Sequence, residues 1–405
     1  MSLPEVDPAG TVTSVRGFRA GAAYAGMKTF GEGKLDIAIL ASDRPCTVAG
    51  VFTKARLHSA SVDINRRKLA ASGHRARAVV VNAAVANSST GERGLADGET
   101  VTRWVGEKLG FAADEILICS TGVIGHFLPM EKMERGIAAI ELSPGGGTAM
   151  ARAIMTTDSR PKHGSVRFGP YVLGGCTKGS GMIHPDMATM LSFIATDAPV
   201  EQRFLQQCLS AAADRSFNLV SVDGDTSPSD TVLVFASGAA GGETIEAGSP
   251  VAADFAAALE ALCVYLAKEI ARDGEGATRL IEYSVQGAAS EADARALVRA
   301  LSTSYLLKSA VHGADPNWGR IVAVVGRTGV AYDEADVTVD LCGYRVFEHQ
   351  QPTEAALADA LQISEAMKAD TVTIGVGLGT GPGAAVGWGC DLSEEYVGIN
   401  ADYHT

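Results

Sequence analysis

Gly174–Ala195 reads GGCTKGSGMIHPDMATMLSFIA. A glycine-rich turn carrying Lys178 runs through His184-Pro185-Asp186 to Thr189, and an apolar run, Leu191–Ile194, follows at once. Such a run, closed off by turn residues, predicts a short buried strand. A hydroxyl at the very start of a buried strand is unusual placement, and the spacing leaves two readings open. One is a capped turn, because Thr and Asp are common beside strand ends. The other is a nucleophile: a threonine hydroxyl is weak unless a base sits beside it. A cut before Thr189 would free its own α-amino group, pKa about 8, for that task. Ala188 is small enough to let the chain bend for such a cut.

Outward from this stretch, the 405 residues suggest two or three structural units. The 46 glycines exceed the roughly 7% average and cluster in turns between short β-branched runs. The pattern is α/β with many tight turns. Strands are predicted at 35–40, 47–52, 77–82, 116–119, 171–173, 191–194, 218–222, 232–236, 279–285, 320–325, 336–340 and 371–376. Phe255, Leu259, Leu262, Leu266 and Ile270 form one apolar helical stripe closed by Asp273-Gly274, and Ser290-Glu291-Ala292-Asp293 opens a further helix with a capping-box pattern. Ser143-Pro144-Gly145-Gly146-Gly147 is read as a loop between helices, so no linker separates domains.

Charge and composition exclude several functions. Against 34 Lys and Arg stand 47 Asp and Glu, a net charge of −13 with no basic run, which argues against nucleic-acid and membrane partners. Neither an 18-residue apolar span nor a signal-peptide layout is present, and a cytoplasmic protein is expected. The seven cysteines are scattered, the closest pair, Cys176 and Cys208, being 32 apart, and the histidines form no cluster; disulfides and a metal site are not expected. Asp223-Gly224-Asp225-Thr226-Ser227 copies the start of a calcium loop, but its twelfth position is Val234 where a Glu is required. Gly379-Thr380-Gly381-Pro382-Gly383-Ala384 imitates a dinucleotide fingerprint interrupted by Pro382, and both segments read as turns.

KGSGMIHPDMATML, at 178–191, resembles the self-cleavage region of the bacterial glutamate N-acetyltransferase family, the ornithine acetyltransferases. GFRAGAAYAGMK (17–28), CSTGVIG (119–125), AIMTTDSRPK (153–162), SVDGDTS (221–227), RDGEGATRLIE (272–282), AVHGADPNWGRI (310–321) and WGCDLSEEYVGINADYHT (388–405) resemble further family blocks in order. The resemblance implies a layered α/β sandwich with a smaller C-terminal α/β region, matured into an α-chain, 1–188, and a β-chain, 189–405, assembled as two of each. It implies Ala188 and Thr189 as the cleavage pair and Thr189 as nucleophile. Thr121 and Gly122 would form the oxyanion hole, and Thr157, Lys178, Glu275, Asn400 and Thr405 would join Thr189 in binding substrate. The implied reaction moves an acetyl group from N2-acetyl-L-ornithine to L-glutamate without a cofactor, and a bifunctional version also takes acetyl-CoA as donor. The sequence departs from the family's usual pattern in two places. Asn82-Ala83-Ala84-Val85-Ala86-Asn87-Ser88 lacks the glycine usual at position 84 and the alanine usual at 88, and Pro228-Ser229 stands where Thr-Asn is usual. A self-cleaving amidase or aminopeptidase, with water as acceptor, and a non-enzymatic amino-acid-binding module remain as competing readings.

Overall fold

The computed structural model describes residues 3–28, 33–184 and 190–402. Its strands, in chain order, are β1 Phe18–Ala23, β2 Ile37–Phe52, β3 Arg75–Asn82, β4 Ile116–Ser120, β5 Lys162–Phe168, β6 Tyr171–Lys178, β7 Leu191–Thr196, β8 Val220–Ser221, β9 Thr231–Ala236, β10 Leu280–Ala288, β11 Thr338–Leu341, β12 Tyr344–Glu348, β13 Gln351–Pro352, β14 Thr371–Gly377 and β15 Gly383–Cys390. They form two sheets. The first runs β4-β3-β2-β9-β7-β6-β5, with β1 added on β2, and the second runs β13-β12-β11-β14-β10-β15-β8.

The expected buried strand after Thr189 is β7, every residue of which is buried, as is every residue of its parallel neighbour β9. Continuous apolar runs suit strands covered on both faces. One cover is the helix Ala252–Arg272, whose stripe of Phe255, Leu259, Leu262, Leu266 and Ile270 is at most 1% exposed. Burying each such side chain contributes roughly 1.5–3 kcal/mol relative to leaving it in water. This helix packs on β5 and β6 on one side and on β8, β10 and β15 on the other, beside the helix Gln202–Asp214. The order sheet, helices, sheet is the layered α/β sandwich anticipated. On the far side of the second sheet, Glu291–Ser302, Tyr305–His312 and Gly319–Arg327 close a separate C-terminal core around Ile281, Tyr283 and Val285. Ser290 caps the first of these helices, its hydroxyl accepting from Asp293 N at 3.1 Å.

Several local expectations are corrected. Residues 320–325 are not a strand but part of the helix Gly319–Arg327: Ile321, Val324 and Val325 are buried and Ala323 exposed, a helical spacing that a short β-branched run disguises. Of 218–222 only Val220–Ser221 pairs, after a 3₁₀ turn over Phe217–Leu219. The strands expected at 35–40 and 47–52 are one strand, β2, with a shifted register between Ala41 and Cys46 that accommodates Pro45. Strands β1, β5, β12, β13 and β15 are not among those expected from the sequence; in β15, GAAVGWGC, a Cβ on Gly383 would meet Ser290 O at 2.1 Å and one on Gly387 would meet Leu219 O at 2.4 Å. These glycines mark close backbone approach instead of a break. Residues 143–146 do form a loop between helices, but a packed one, since a Cβ on Gly146 would lie 1.8 Å from Ala20 O.

Candidate active site

Ends of elements remote in sequence meet at one cavity of about 150 Å³. Thr121 and Gly122 follow directly on β4, Lys178 ends β6, Leu191 begins β7, Glu275 lies in the turn after Ala252–Arg272, and Asn400 comes from the helix Glu394–Asp402. All of these line the cavity, together with Thr157. Thus all six nominated side chains or backbone units within the described residues converge on one site. Ala188, Thr189 and Thr405 lie outside the described residues; Met190, next in sequence to Thr189, is part of the cavity wall.

The contacts are polar and buried. Lys178 Nζ donates to Thr121 Oγ1 at 3.2 Å, and the hydroxyls of Thr157 and Ser180 share a hydrogen bond of 2.7 Å. Asn400 Nδ2 donates to Glu275 Oε2 at 2.7 Å, while Glu275 N donates to Ser180 O at 2.9 Å. Gly181 leaves room for the carboxylate, because a Cβ there would lie 2.3 Å from Glu275 Cδ. Burial pushes the Lys178 ammonium below its ordinary pKa, against the upward pull of Asp158, Asp230 and Glu275. Burial alone would raise Asp158, but Lys162, Lys178 and the Gly179 amide outweigh it and hold the carboxyl well below the usual range. Such an arrangement of a cation, hydroxyls and a backbone turn around a small cavity suits stabilisation of a developing oxyanion, with Glu275 placed for an ammonium ligand.

Comparison with known proteins identifies the lineage. The ArgJ family model matches residues 19–405. The chain belongs to the ArgJ family. The chain is 45% identical over 407 residues to the arginine biosynthesis bifunctional protein ArgJ of Dehalococcoides mccartyi, covering 99% of each, and 45% identical over 402 residues to that of Deinococcus radiodurans, covering 98% of this chain and 100% of the relative. It is also similar to the crystal structure of the bifunctional ArgJ protein from Bacillus halodurans, with 42% identity and a TM-score of 0.51; the match covers 53% of this chain and 100% of that one.

Of the two departures from the family's usual pattern, Pro228 and Ser229 line the cavity, whereas Ala84 and Ser88 flank Ala86, which lines it too. Ala84 holds φ at +87°, the left-handed region in which glycine is at ease, so the loop keeps a glycine-like backbone without the residue. Sequence reasoning also missed the residues behind the site. Lys162, fully buried, bridges Asp158 at 2.6 Å and Asp273 at 2.5 Å, and Asp158 Oδ1 accepts from Gly179 N at 2.7 Å. The supposed calcium-loop Asp223 instead accepts from the amides of Met182 and Ile183 at 2.6 and 2.8 Å, pinning the chain just before the segment that holds Thr189. Among the described residues no group of acidic, His and Cys side chains is placed to hold a metal ion. Of the expected turn at 379–384, residues 379–382 are a turn and Gly383-Ala384 already begin strand β15, where a dinucleotide fingerprint would open a helix. Six of the seven cysteines are buried thiols; burial pushes Cys46, Cys119 and Cys176 up to about 12. None of the described helices is long and apolar enough to cross a membrane.

Proposed function

We propose that this chain cuts itself between Ala188 and Thr189 and then uses Thr189 to carry an acetyl group from N2-acetyl-L-ornithine to L-glutamate in arginine biosynthesis. The convergence of Thr121, Gly122, Thr157, Lys178, Glu275 and Asn400 on one cavity, with Met190 in its wall, carries the reading. The match in chain length supports the cut: a crystallised family chain that is matched in full by 53% of this one is the size of a piece, whereas the curated relatives match end to end.

In the first step Thr189 Oγ attacks the Ala188 carbonyl, the peptide C–N bond breaks, and an ester and a free α-amine result. Water then hydrolyses the ester, leaving a carboxylate on Ala188. In each later turnover the amine of Thr189 takes the proton of its own hydroxyl as Oγ attacks the acetyl carbonyl. The Thr121 hydroxyl and Gly122 amide receive the negative oxygen. Collapse expels the N2 amine of ornithine, which takes the proton back. The amine of glutamate next attacks acetyl-Thr189, giving N-acetyl-L-glutamate and restoring the free enzyme. Glu275, held by Asn400, pairs with the side-chain ammonium of ornithine, Thr157 and Lys178 bind polar groups of the substrate, and Thr405 closes over it with Asn400. The enzyme works without a cofactor in the cytoplasm as two α- and two β-chains, and accepts acetyl-CoA as a second donor, in keeping with the word bifunctional in its relatives' names.

The test is an assay of purified protein with glutamate and either acetyl-ornithine or acetyl-CoA, paired with intact mass. Pieces of 188 and 217 residues and N-acetylglutamate from both donors are expected, with Thr189→Ala uncut and inactive. An uncut, fully active wild type would refute the nucleophile, and acetate in place of N-acetylglutamate would make the enzyme a hydrolase.

A further inference from the structure

We infer that Lys178 is a positioning residue for the oxyanion hole: its ammonium fixes the Thr121 hydroxyl as a donor toward the reacting carbonyl. This rests on the proposed acetyl transfer. An ammonium carries three donors and no acceptor, so in the 3.2 Å contact Thr121 Oγ1 must accept. The hydroxyl proton then has to point elsewhere. Among the described residues the Thr121 hydroxyl donates to no protein acceptor, and Thr121 and Lys178 both line the cavity. Its proton is therefore left to point into the cavity, where the oxyanion of the proposed reaction would form.

The surroundings hold this arrangement in place. The Thr121 amide donates to Asn82 O and the Val123 amide to Ala84 O, both at 3.0 Å, so the backbone on either side of the turn is tied to the loop after β3. Gly122, at φ +128°, abuts that same loop. Only the hydroxyl rotor of Thr121 is left to be set. Lys178 ends β6, where its Cα pairs with Leu191 at the start of β7, and the Asp158 carboxylate grips the next amide, Gly179. Thr121 and Lys178 are buried, at 6% and 7% exposed. A positive charge behind the donor also strengthens its hydrogen bond to a negative oxygen. The charged groups that act on Lys178 include Asp158, Lys162, Asp230, Glu275 and Lys28, three carboxylates and two cations around its ammonium.

The test is a double-mutant cycle of Lys178→Met and Thr121→Ala on fully processed enzyme, reading kcat and KM for acetyl-ornithine, with Lys178→Arg as the conservative rescue. Removing a whole oxyanion donor costs about 100- to 1,000-fold in turnover, so Thr121→Ala should show a loss of that order and Lys178→Met about 10- to 100-fold, with KM little changed. Once Thr121 is gone, the Lys178 change should cost less than about 3-fold more, because coupled residues are not additive. Lys178→Arg, still a charged donor, should recover part of the loss. Losses that multiply, or a raised KM with kcat intact, would overturn the inference and leave Lys178 as a substrate ligand alone, with no hold on the oxyanion hole. If Lys178→Met does not fold or process, Lys178→Gln goes through the same cycle with the same criteria. A wild type without transfer activity would instead fault the proposed function.

Discussion

At position 84 an alanine holds a backbone angle that alanine disfavours. Its φ of +87° costs about 1 kcal/mol or more for any residue with a Cβ, and the turn tolerates it because Val123 N bonds Ala84 O and Ala86 N bonds Val123 O at 3.0 Å each. Across the contact, Gly122 has no such latitude: a Cβ there would lie 2.1 Å from the Ala84 carbonyl carbon. Ala84→Gly should therefore stabilise the protein by up to about 1 kcal/mol, read as a higher urea midpoint, since relief of about 1–2 kcal/mol of native strain outweighs the added freedom of the unfolded chain. A lower midpoint would show that the turn is not strained at this residue. The missing glycine was visible in the sequence. That the turn would hold its shape without it was not, because the hydrogen bonds that enforce the angle come from a segment almost forty residues away.

Three elements meet behind the cavity at Lys162, the first residue of β5. Its ammonium joins Asp158, in the loop after the helix Gly147–Ala153, to Asp273, which ends the helix Ala252–Arg272, and Ser159 adds hydrogen bonds to Asp273. Each partner adjoins a residue of the cavity wall: Asp158 follows Thr157 and holds Gly179 beside Lys178, and Asp273 lies two residues before Glu275. Lys162 is 1% exposed, so removing its charge takes away the cation that two buried carboxylates share, leaving Asp158 only the more distant Lys178 and Asp273 only Arg160 at 4.0 Å. Lys162→Met should cost about 3–5 kcal/mol by denaturant unfolding, the usual price of breaking a buried pair from one side. A loss below about 1 kcal/mol would mean that the cluster relaxes into water and does not brace the site. The helical stripe ending in Asp273 was legible from its spacing, and so was the strand after Thr189. The ionic brace was not, since its members are 4 and 111 residues apart and nothing in the local pattern links them.

For the molecule as a whole, the proposed cut passes through the first sheet. In the order β4-β3-β2-β9-β7-β6-β5, strands β9 and β7 belong to the second piece and sit between β2 and β6 of the first. The interface carries antiparallel pairing along both borders, from Thr47↔Ala236 to Phe52↔Thr231 and from Leu173↔Thr196 to Lys178↔Leu191. Separating the pieces means unzipping the centre of a buried sheet. Pieces of 188 and 217 residues should therefore elute together in native buffer and part only in denaturant, a size-exclusion measurement with mass detection. Separate native elution would place the cut elsewhere or undo the fold.

What the sequence by itself determined is local and chemical. Periodicity locates the strand after Thr189, several of its neighbours and the apolar helical stripe, and short motifs nominate residue types with a common chemistry. It faltered at 320–325, at 218–222 and at strands such as β1, β5, β12 and the glycine-rich β15, where a short stretch carries too few residues to reveal its period or its close neighbours. The tertiary structure decided the site. Thr121 and Lys178 are 57 residues apart, and Glu275 and Asn400 125 apart, yet each pair is joined by a hydrogen bond. The order of strands in the sheet, which buries apolar faces on both sides at once, determines which chain ends lie side by side, and that order is set by long-range packing that no local pattern records.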